Sequence, residues 1–389
     1  MKIAVPPADP ETPAGIYIHI PFCIQKCRYC DFYSITDRRL ELAFINALVA
    51  EITRHPREVR SVDTLYIGGG TPSVLPMASL VRLIDTVANT FSLLPGIEIT
   101  IEVNPGTVTK EQMNAYRNAG INRLNIGVQS FRDETLKFLG RCHTAQDARH
   151  AITWARSAGF DNWGLDLIYG IPDQTADAWH SDIVQALQFK PAHLSCYMLS
   201  FEPGTPLEIS RAAGVISPMA DGGLSDLFLF TAQTLTLAGY EHYEISNFSL
   251  GKAYRSRHNR KYWAHVPYLG FGPAAHSFLP PVRRWNLKNV RDYIERLNNG
   301  KSAESETEIL SREQLMIEAI YLGLRQSKGI DLEGFDRQFA ARFTDIFSPL
   351  LAELSGEGML RIRENRCILT RNGMLYLDAI AGRFADRVF

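Results

Sequence analysis

The chain has 389 residues, of which 46% are hydrophobic and 21% are charged, and its formal net charge is −1. This composition is typical of a globular protein with one large domain or two to three ordinary ones, and the near-neutral charge argues against a nucleic-acid partner. Six cysteines are too few for a disulfide scaffold. Because the chain has no apolar signal segment and no apolar run long enough to span a bilayer, we expect a cytoplasmic protein.

From residue 15 to about 201, short apolar segments alternate with amphipathic ones. Six segments rich in Ile, Leu, Val and Tyr are predicted strands, at 15–20, 63–70, 97–103, 123–129, 162–170 and 193–199. Helices are predicted to begin at Thr109 and Thr144 and to end at Gly120 and Gly159. The alternation predicts parallel βα units in a doubly wound sheet or a barrel, and in both folds functional residues gather beyond the carboxyl ends of the strands.

The pattern changes in the second half of the chain. The predicted segments are an N-terminal extension at 1–14, a core at 15–245, an aromatic and basic region with a linker at 246–306, and a small domain at 307–389. Residues 246–278 are expected to be loop-like, and 296–306 to be the linker. The small domain resembles a winged helix, since a helix at 312–326 precedes a hairpin and a final helix.

The charge of the small domain bears on its partners. Residues 301–389 contain 12 Lys or Arg residues against 14 Asp or Glu residues. A wing that binds duplex nucleic acid should be basic, so we interpret this domain as a cap or an interaction module.

Half of the cysteines lie in the stretch FCIQKCRYCDF, residues 22–32. Cys23, Cys27 and Cys30 have the spacing C-x3-C-x2-C. A structural zinc site needs four ligands, usually with a second pair of Cys or His, and no clear second pair follows. A 4Fe–4S cluster held by three thiolates leaves one iron open to another ligand. A zinc-bound structural module remains the alternative.

The spacing of these cysteines directly after a first strand, with Tyr29 before the last one, resembles the radical S-adenosylmethionine (SAM) superfamily. The segments YIHIPFC, GGGTPS, IEVNP, LNIGVQSF and LDLIYGIP, within residues 15–175, are similar to those of the oxygen-independent coproporphyrinogen III oxidase group. The resemblance implies an α/β fold, a partial (β/α)6 TIM-like barrel with a small C-terminal helical, winged-helix-like domain. It also implies that the open iron binds the amino and carboxylate groups of SAM, which the cluster cleaves to a 5′-deoxyadenosyl radical.

The resemblance assigns residues to both cofactors. Cys23, Cys27 and Cys30 are expected to bind the cluster, and Tyr17, Gly69, Gly70, Thr71, Glu102, Gln129, Arg141 and Asp166 are expected to lie at the cluster or SAM. Glycines let the backbone approach a ligand, carboxylates and amides accept from hydroxyl or ammonium groups, and an arginine offers a paired contact to a carboxylate. Each polar residue alone would be interpreted as a solvated or capping residue, but their common place at strand ends favours one site.

Position 32 departs from the porphyrinogen-oxidising members, which have a cysteine two residues after the third thiol. Phe32 occupies this position, which favours the neighbouring heme-chaperone branch of the group.

The stretch HNRKYW, residues 258–263, resembles the H-N-x-x-Y-W motif of that branch. His258 is expected to be an axial ligand of heme iron, with Asn259, Tyr262 and Trp263 completing the heme site. Arg255, Arg257, Arg260 and Lys261 are expected near the propionates, and His276 is a weaker second ligand candidate. Without the resemblance, a lone histidine near aromatic residues would be interpreted as an ordinary hydrogen-bonded residue.

The resemblance therefore implies a heme chaperone of the radical SAM type. It would bind heme, a 4Fe–4S cluster and SAM, receive an electron from a donor protein, and deliver heme to apo-proteins such as respiratory-chain enzymes, some of them at the membrane. A homodimer is left open. The alternative is an oxygen-independent coproporphyrinogen III dehydrogenase, which converts two propionates to vinyl groups by hydrogen abstraction.

Overall fold

The computed structural model describes residues 12–55 and 58–388, so residues 1–11 of the predicted N-terminal extension lie outside it. The strands are β1 (Ala14–Ile20), β2 (Val62–Gly69), β3 (Leu93–Val103), β4 (Arg123–Gln129), β5 (Trp163–Tyr169), β6 (His193–Met198), β7 (Glu241–Glu244), β8 (Asn247–Ser249), β9 (Tyr268–Phe271), β10 (His276–Leu279), β11 (Val282–Asn286), β12 (Glu304–Ile309), β13 (Ile330–Asp331), β14 (Leu360–Arg363) and β15 (Arg366–Leu369).

The helices are α1 (Glu41–Arg54), α2 (Met77–Thr90), α3 (Lys110–Asn118), α4 (Asp133–Leu139), α5 (Ala145–Ser157), α6 (Ala176–Gln188), α7 (Pro206–Ala212), α8 (Asp221–Leu237), α9 (Arg257–Trp263), α10 (Val290–Asn298), α11 (Arg312–Arg325), α12 (Leu332–Phe339), α13 (Phe343–Gly356), α14 (Arg371–Leu375) and α15 (Leu377–Ala385). Within the described parts of the chain, every helix is too short or too polar to traverse a bilayer.

The main sheet has the strand order β12-β11-β10-β9-β1-β2-β3-β4-β5-β6-β8-β7. Strands β1 to β6 lie side by side in chain order, and each is parallel to the next. This arrangement confirms the partial (β/α)6 barrel. Five of the six predicted strands agree with the structure to within one residue at each end, whereas β3 begins earlier, at Leu93.

Two helices begin where their capping residues predict. Thr109 and Thr144 each form a capping box, with Gln112 and Asp147 respectively, so these side chains and backbone N–H groups satisfy each other. The loops that follow the two helices contain Gly120 and Gly159, both with positive φ angles. The predicted starts of both helices are therefore confirmed, and each predicted end lies two residues beyond the observed one.

The strands of the barrel have one apolar face and one face rich in polar groups. Ile16, Ile18, Leu65 and Ile67 are fully buried, and burying an aliphatic side chain of this size stabilises the fold by about 1.5–3 kcal/mol. Successive side chains of a strand alternate between faces, so the neighbours of these residues, such as Tyr66, lie on the opposite face. That face supplies the site described below.

The region between residues 246 and 306 differs from the prediction. It is not loop-like, because HNRKYW lies in helix α9, where Ser256 accepts a hydrogen bond from the backbone N–H of Asn259. Strand β9 then pairs with β1 in parallel, and β10 to β12 extend the same sheet. The linker prediction for 296–306 is also wrong at both ends, since α10 continues to Asn298 and β12 begins at Glu304.

The C-terminal part contains the helices α11 to α15 and a three-stranded sheet of order β13-β15-β14. Its core includes a group of phenylalanine rings whose neighbouring centroids lie 4.6–5.8 Å apart: Phe335, Phe339, Phe343, Phe347 and Phe384. The helix and the hairpin predicted from the sequence are present, so the winged-helix-like prediction is confirmed. The final predicted helix is interrupted at Tyr376, which separates α14 from α15.

Candidate functional site

A cavity of about 430 Å³ opens at the carboxyl ends of strands β2 to β6. The predicted site residues in its wall are Cys30, Gly69, Gly70, Thr71, Glu102, Gln129, Arg141 and Asp166. These residues come from six different loops or strand ends, and the parallel order of the sheet brings them together. The predicted residues at these strand ends therefore lie close together in one cavity wall, and their binding roles stay predictions.

The cysteines lie in a loop that follows β1, here called the cluster loop (residues 21–35). Its two ends are joined by backbone hydrogen bonds, from Cys23 N to Ile35 O (2.9 Å) and from Ile35 N to Pro21 O (2.7 Å). Its middle is held from another side by Arg28 N, which donates to Leu139 O over 3.0 Å. The positions of the thiols are thus fixed by the backbone of the barrel.

The glycine segment after β2 packs directly on the cluster loop. Gly70 N donates to Ile20 O (2.7 Å), and Thr71 N donates to Phe22 O (2.8 Å). A Cβ atom on Gly70 would lie 2.8 Å from Ile20 O and 2.9 Å from Phe22 O, closer than real Cβ atoms come. A Cβ on Gly69, where φ is 107°, would lie 2.6 Å from the His19 ring. Because these two glycines have no side chain, the backbone of this segment can pack against β1 and the cluster loop and can also come close to a ligand.

The thiols receive hydrogen bonds from two predicted SAM residues. Thr71 Oγ1 donates to Cys23 Sγ (3.3 Å), and Arg141 Nη1 donates to Cys27 Sγ (3.4 Å). Burial raises the pKa of the Cys23 and Cys30 thiols, that of Cys30 to about 11. Cys23 and Cys30 are therefore protonated at neutral pH without a metal, and binding a cluster displaces these protons.

The donor set suits the expected cluster. Among the described residues, no group of three or more His, Cys, Asp and Glu side chains is arranged to hold a single metal ion. Each thiolate ligand of a 4Fe–4S cluster binds a different iron, so a cluster does not require the three sulfur atoms to meet at one ion. Soft thiolates beside a cationic arginine are suitable partners for such a group.

Glu102 is the central carboxyl group of the cavity wall. Its Oε1 accepts from Tyr66 Oη (2.7 Å), and its Oε2 accepts from Gly69 N (3.1 Å). Burial raises the pKa of Glu102 to about 7, and the nearby carboxylate of Asp166 adds to this rise. Asp166 accepts from Asn125 Nδ2 over 2.6 Å, and burial raises its pKa to about 6. Both groups therefore change charge near neutral pH.

Three wall residues, Gln129, Arg141 and Asp166, have unused hydrogen-bonding capacity. Gln129 has a φ angle of 66°, rare for a residue with a side chain. Among the described residues, its buried Oε1, the buried Nε of Arg141 and the buried Oδ1 of Asp166 have no hydrogen-bond partner. Unpaired polar atoms are costly inside a protein, and a ligand with hydroxyl, amino and carboxylate groups would satisfy them. The wall therefore fits SAM as well as a cluster.

The structure does not bring Tyr17 into the cavity wall. Its hydroxyl lies 3.0 Å from His19 Nδ1, and its ring lies beside those of Tyr66 and His258, with centroids 6.2 and 6.5 Å away. Tyr17 thus lies behind the wall, on the same strand that leads into the cluster loop. Its predicted contact with the cluster stays a prediction.

His258 is fully buried in α9 and lies outside the cavity described above, which is here called the first cavity. Its Nδ1 lies 2.9 Å from Thr64 Oγ1, and its Nε2 lies 2.8 Å from Tyr262 Oη. Burial lowers its pKa to about 3, so the ring is neutral. Both ring nitrogens are engaged, and axial ligation would first require one of these hydrogen bonds to break.

Apart from Tyr262, the residues predicted for heme are mostly engaged with other partners. Three of the four cations predicted near the propionates already contact carboxylates: Arg255 with Glu241 (2.6 Å), and Arg257 and Lys261 with Asp63 (3.2 and 2.6 Å). Asn259 donates its backbone N–H to Ser256, and Arg325 lies 4.5 Å above the ring of Trp263. His276 is exposed and stacks on Trp285, with centroids 5.6 Å apart.

Sequence reasoning missed several residues of the cavity wall. Tyr66, Asn125, Tyr197 and Phe32 also line it. A signal for Asn125 was present, since Asn125, Gly127 and Gln129 alternate along β4 and share one face. Phe32 lies in the wall yet is 61% exposed, so an apolar ring borders the entrance beside the thiols.

Comparison with known proteins gives two matching family models. Residues 17–183 match the radical SAM superfamily, and residues 310–376 match the HemN C-terminal domain.

Curated relatives match over nearly the whole chain. The heme chaperone HemW of Escherichia coli is 33% identical over 385 residues, covering 96% of this chain and 98% of the relative. The heme chaperone HemW of Bacillus subtilis is 31% identical over 373 residues, covering 95% and 98%. A solved structure of coproporphyrinogen III oxidase (HemN) from Escherichia coli, described as a radical SAM enzyme, matches with a TM-score of 0.83 and 26% identity, covering 97% of this chain and 91% of that one.

Replacing Gly70 with alanine should displace the cluster loop, because the new Cβ meets two backbone oxygens within 3 Å. We expect the variant to fold but to retain less than about half of the four irons per cluster after anaerobic reconstitution. Iron and sulfide analysis measures this loss. Gly222→Ala in α8, where a Cβ meets nothing within 4 Å, is the matched control, and equal iron in both variants would contradict the packing argument.

SAM affinity should depend on pH through Glu102. Its pKa of about 7 means that the carboxylate, the better acceptor for hydroxyl or ammonium groups, forms as pH rises through neutrality. We expect SAM to bind the wild-type protein more tightly at pH ~8 than at pH ~6, and Glu102→Gln to bind about tenfold more weakly at the higher pH, with a flatter pH profile. Equilibrium dialysis measures both, and parallel profiles for the two proteins would exclude this role.

Proposed function

The chain belongs to the radical SAM superfamily and, within it, to the family of the heme chaperone HemW, and on this premise we propose that it binds heme and transfers it to heme-requiring proteins. Relatives of that name match 95% and 96% of this chain. Membership of the superfamily also brings a 4Fe–4S cluster and SAM as cofactors. The first cavity, with Cys30, glycines and carboxyl groups in its wall, and the adjoining Cys23 and Cys27 of the cluster loop, is the proposed site of both.

We assign the roles of the cavity residues as follows. Cys23, Cys27 and Cys30 would hold the cluster, while Arg141 and Thr71 donate hydrogen bonds to the thiol sulfurs. When bound, the cluster supplies one electron and an open iron for the amino and carboxylate groups of SAM. Glu102 and Gln129 would accept from the polar groups of SAM.

The observation that favours a chaperone over an oxidase is Phe32. The porphyrinogen-oxidising members of the group that this sequence resembles have a cysteine at this position, two residues after the third thiol. Here the position holds an apolar ring that is 61% exposed in the cavity wall. A ring at this place removes a thiol from the entrance and adds an apolar surface that a flat hydrophobic molecule or a partner protein can contact.

Porphyrinogen oxidation is the second candidate, because the solved HemN structure matches 97% of this chain. The two functions differ in the ligand and in the product. An oxidase consumes coproporphyrinogen III and removes two carboxyl groups, whereas a chaperone binds heme and returns it unchanged. A single protein preparation can therefore distinguish them.

The proposal extends to the proteins that receive heme and to the other partners of the chain. We propose respiratory-chain apo-proteins as recipients, some of them at the membrane, a cytoplasmic location for the chain, and an electron donor that reduces the cluster. His258 as an axial ligand and a homodimer stay predictions.

The test uses anaerobically reconstituted protein with SAM and a reductant. We expect heme to bind with a saturating Soret band at about one heme per chain, and coproporphyrinogen III to be recovered at its original mass. Phe32→Cys should give the same result, because other residues of the cavity are unchanged. Mass spectrometry that finds a product lighter by two CO2 and four hydrogen atoms, without heme binding, would place the chain among the oxidases.

A further inference from the structure

A second cavity of about 590 Å³ lies where the C-terminal helices meet the edge of the main sheet, and it is here called the aromatic cavity. Helices α11 and α15 form one side, and α9 with strands β9 to β11 forms the other. Its volume is in the range of about 300–1,000 Å³ that small-molecule sites occupy. None of the residues assigned above to the cluster or SAM lines it.

Aromatic rings form the sheet side of the aromatic cavity. Tyr262 and Tyr268 meet edge to face with centroids 4.7 Å apart, and Phe278 pairs with Tyr268 across β9 and β10. His265 stacks on Phe278 at 4.5 Å. The helix side contributes the apolar groups Ile317, Leu322 and Ala381 together with Tyr321 and Glu318. A flat apolar molecule would therefore contact rings on the sheet side and a largely apolar surface on the helix side.

Arg283, in the wall, is paired with Glu318 and lies 4.0 Å from Glu308, as Arg255, Arg257 and Lys261 are paired with other carboxylates. Arg283 donates from Nη1 and Nη2 to Glu318 (2.8 and 2.6 Å) and lies 5.5 Å above the Phe278 ring. Burial alone would raise the pKa of Glu318, but hydrogen bonds from His265 and Arg283 hold it at about 2. The carboxylate is therefore ionised and fixes the guanidinium in place, and this guanidinium keeps an Nε–H with no hydrogen bond to Glu318.

The same wall connects to the first cavity. Tyr262 Oη lies 2.8 Å from His258 Nε2, and the His258 ring stacks on Tyr66 with centroids 5.2 Å apart. Tyr66 in turn donates to Glu102 in the wall of the first cavity. Of the stretch 258–263, only Tyr262 lines the aromatic cavity, so His258 holds a ring of this wall in position.

Building on the proposed function, we propose that the aromatic cavity is the site where the transferred heme binds. Tyr262, Tyr268 and Phe278 contact the macrocycle, and Arg283 donates its remaining Nε–H to a propionate. His265 Nε2 lies 3.0 Å from Glu318 and is therefore already engaged. For this reason we do not assign His265 as an axial ligand, and we assign the binding to contacts with the macrocycle and its carboxylates. The cluster and SAM then occupy the first cavity while heme occupies the second.

The test fills the aromatic cavity without touching its polar groups. Gly382 of α15 lines the cavity, and a Cβ there meets nothing within 4 Å, so Gly382→Trp adds a ring to the open space. Gly356→Trp is the matched control, since Gly356 is also a helical glycine of the C-terminal part with nothing within 4 Å of a Cβ, and it lies outside the cavity. Hemin is titrated into each reconstituted protein and followed by its Soret band.

We expect Gly382→Trp to weaken hemin binding at least about tenfold, with iron content, SAM affinity and circular dichroism unchanged, and Gly356→Trp to bind like the wild type. Arg283→Gln gives a second variant that leaves the volume nearly unchanged, and it should also weaken hemin binding. Equal hemin affinity in wild type, Gly382→Trp and Arg283→Gln would overturn the site but leave the proposed function in place. A wild-type protein that binds no hemin would overturn both.

Discussion

The close approach between two loops of the barrel is the constraint on which the rest of the site depends. Gly70 and Thr71 donate their backbone N–H groups to the backbone on either side of Pro21, at 2.7 and 2.8 Å. This contact fixes the cluster loop against the end of β2 and places Cys23 within hydrogen-bond reach of Thr71. It forms because β1 and β2 are parallel neighbours whose carboxyl ends lie at the same edge. A side chain at position 70 would remove it.

The polar face of the barrel joins the two cavities. From Tyr262 the contacts run through His258 and Tyr66 to Glu102, by two hydrogen bonds and one ring stack. The ring of His258 is neutral, because burial lowers its pKa to about 3. His258 therefore acts in this structure as a buried bridge between two walls. In the proposed heme site, the stretch HNRKYW would position Tyr262 through His258, and iron ligation by His258 stays a prediction.

Much of the site was predictable because its chemistry follows the strand order. Cys30, the glycines after β2 and the strand-end residues Glu102, Gln129 and Asp166 all lie at the carboxyl ends of the parallel strands. Tyr66 was missed, since a tyrosine inside an apolar strand is more simply interpreted as core. Helix α9 was missed because a seven-residue helix depends on the Ser256 cap and on packing against β1 and β2. The aromatic cavity could not be predicted, because it joins residues as distant in sequence as Tyr262 and Ala385.

Direct transfer of heme is the central claim, and a rate comparison tests it. The reconstituted protein is loaded with one equivalent of heme, freed of excess heme, and mixed either with an apo form of a b-type cytochrome or with a heme scavenger such as apomyoglobin. Absorption spectra measure how fast each acceptor gains heme. A chaperone that hands heme to its recipient fills the cytochrome faster than the scavenger, at a rate that rises with cytochrome concentration. Equal rates that do not depend on acceptor concentration would show passive release and contradict the account.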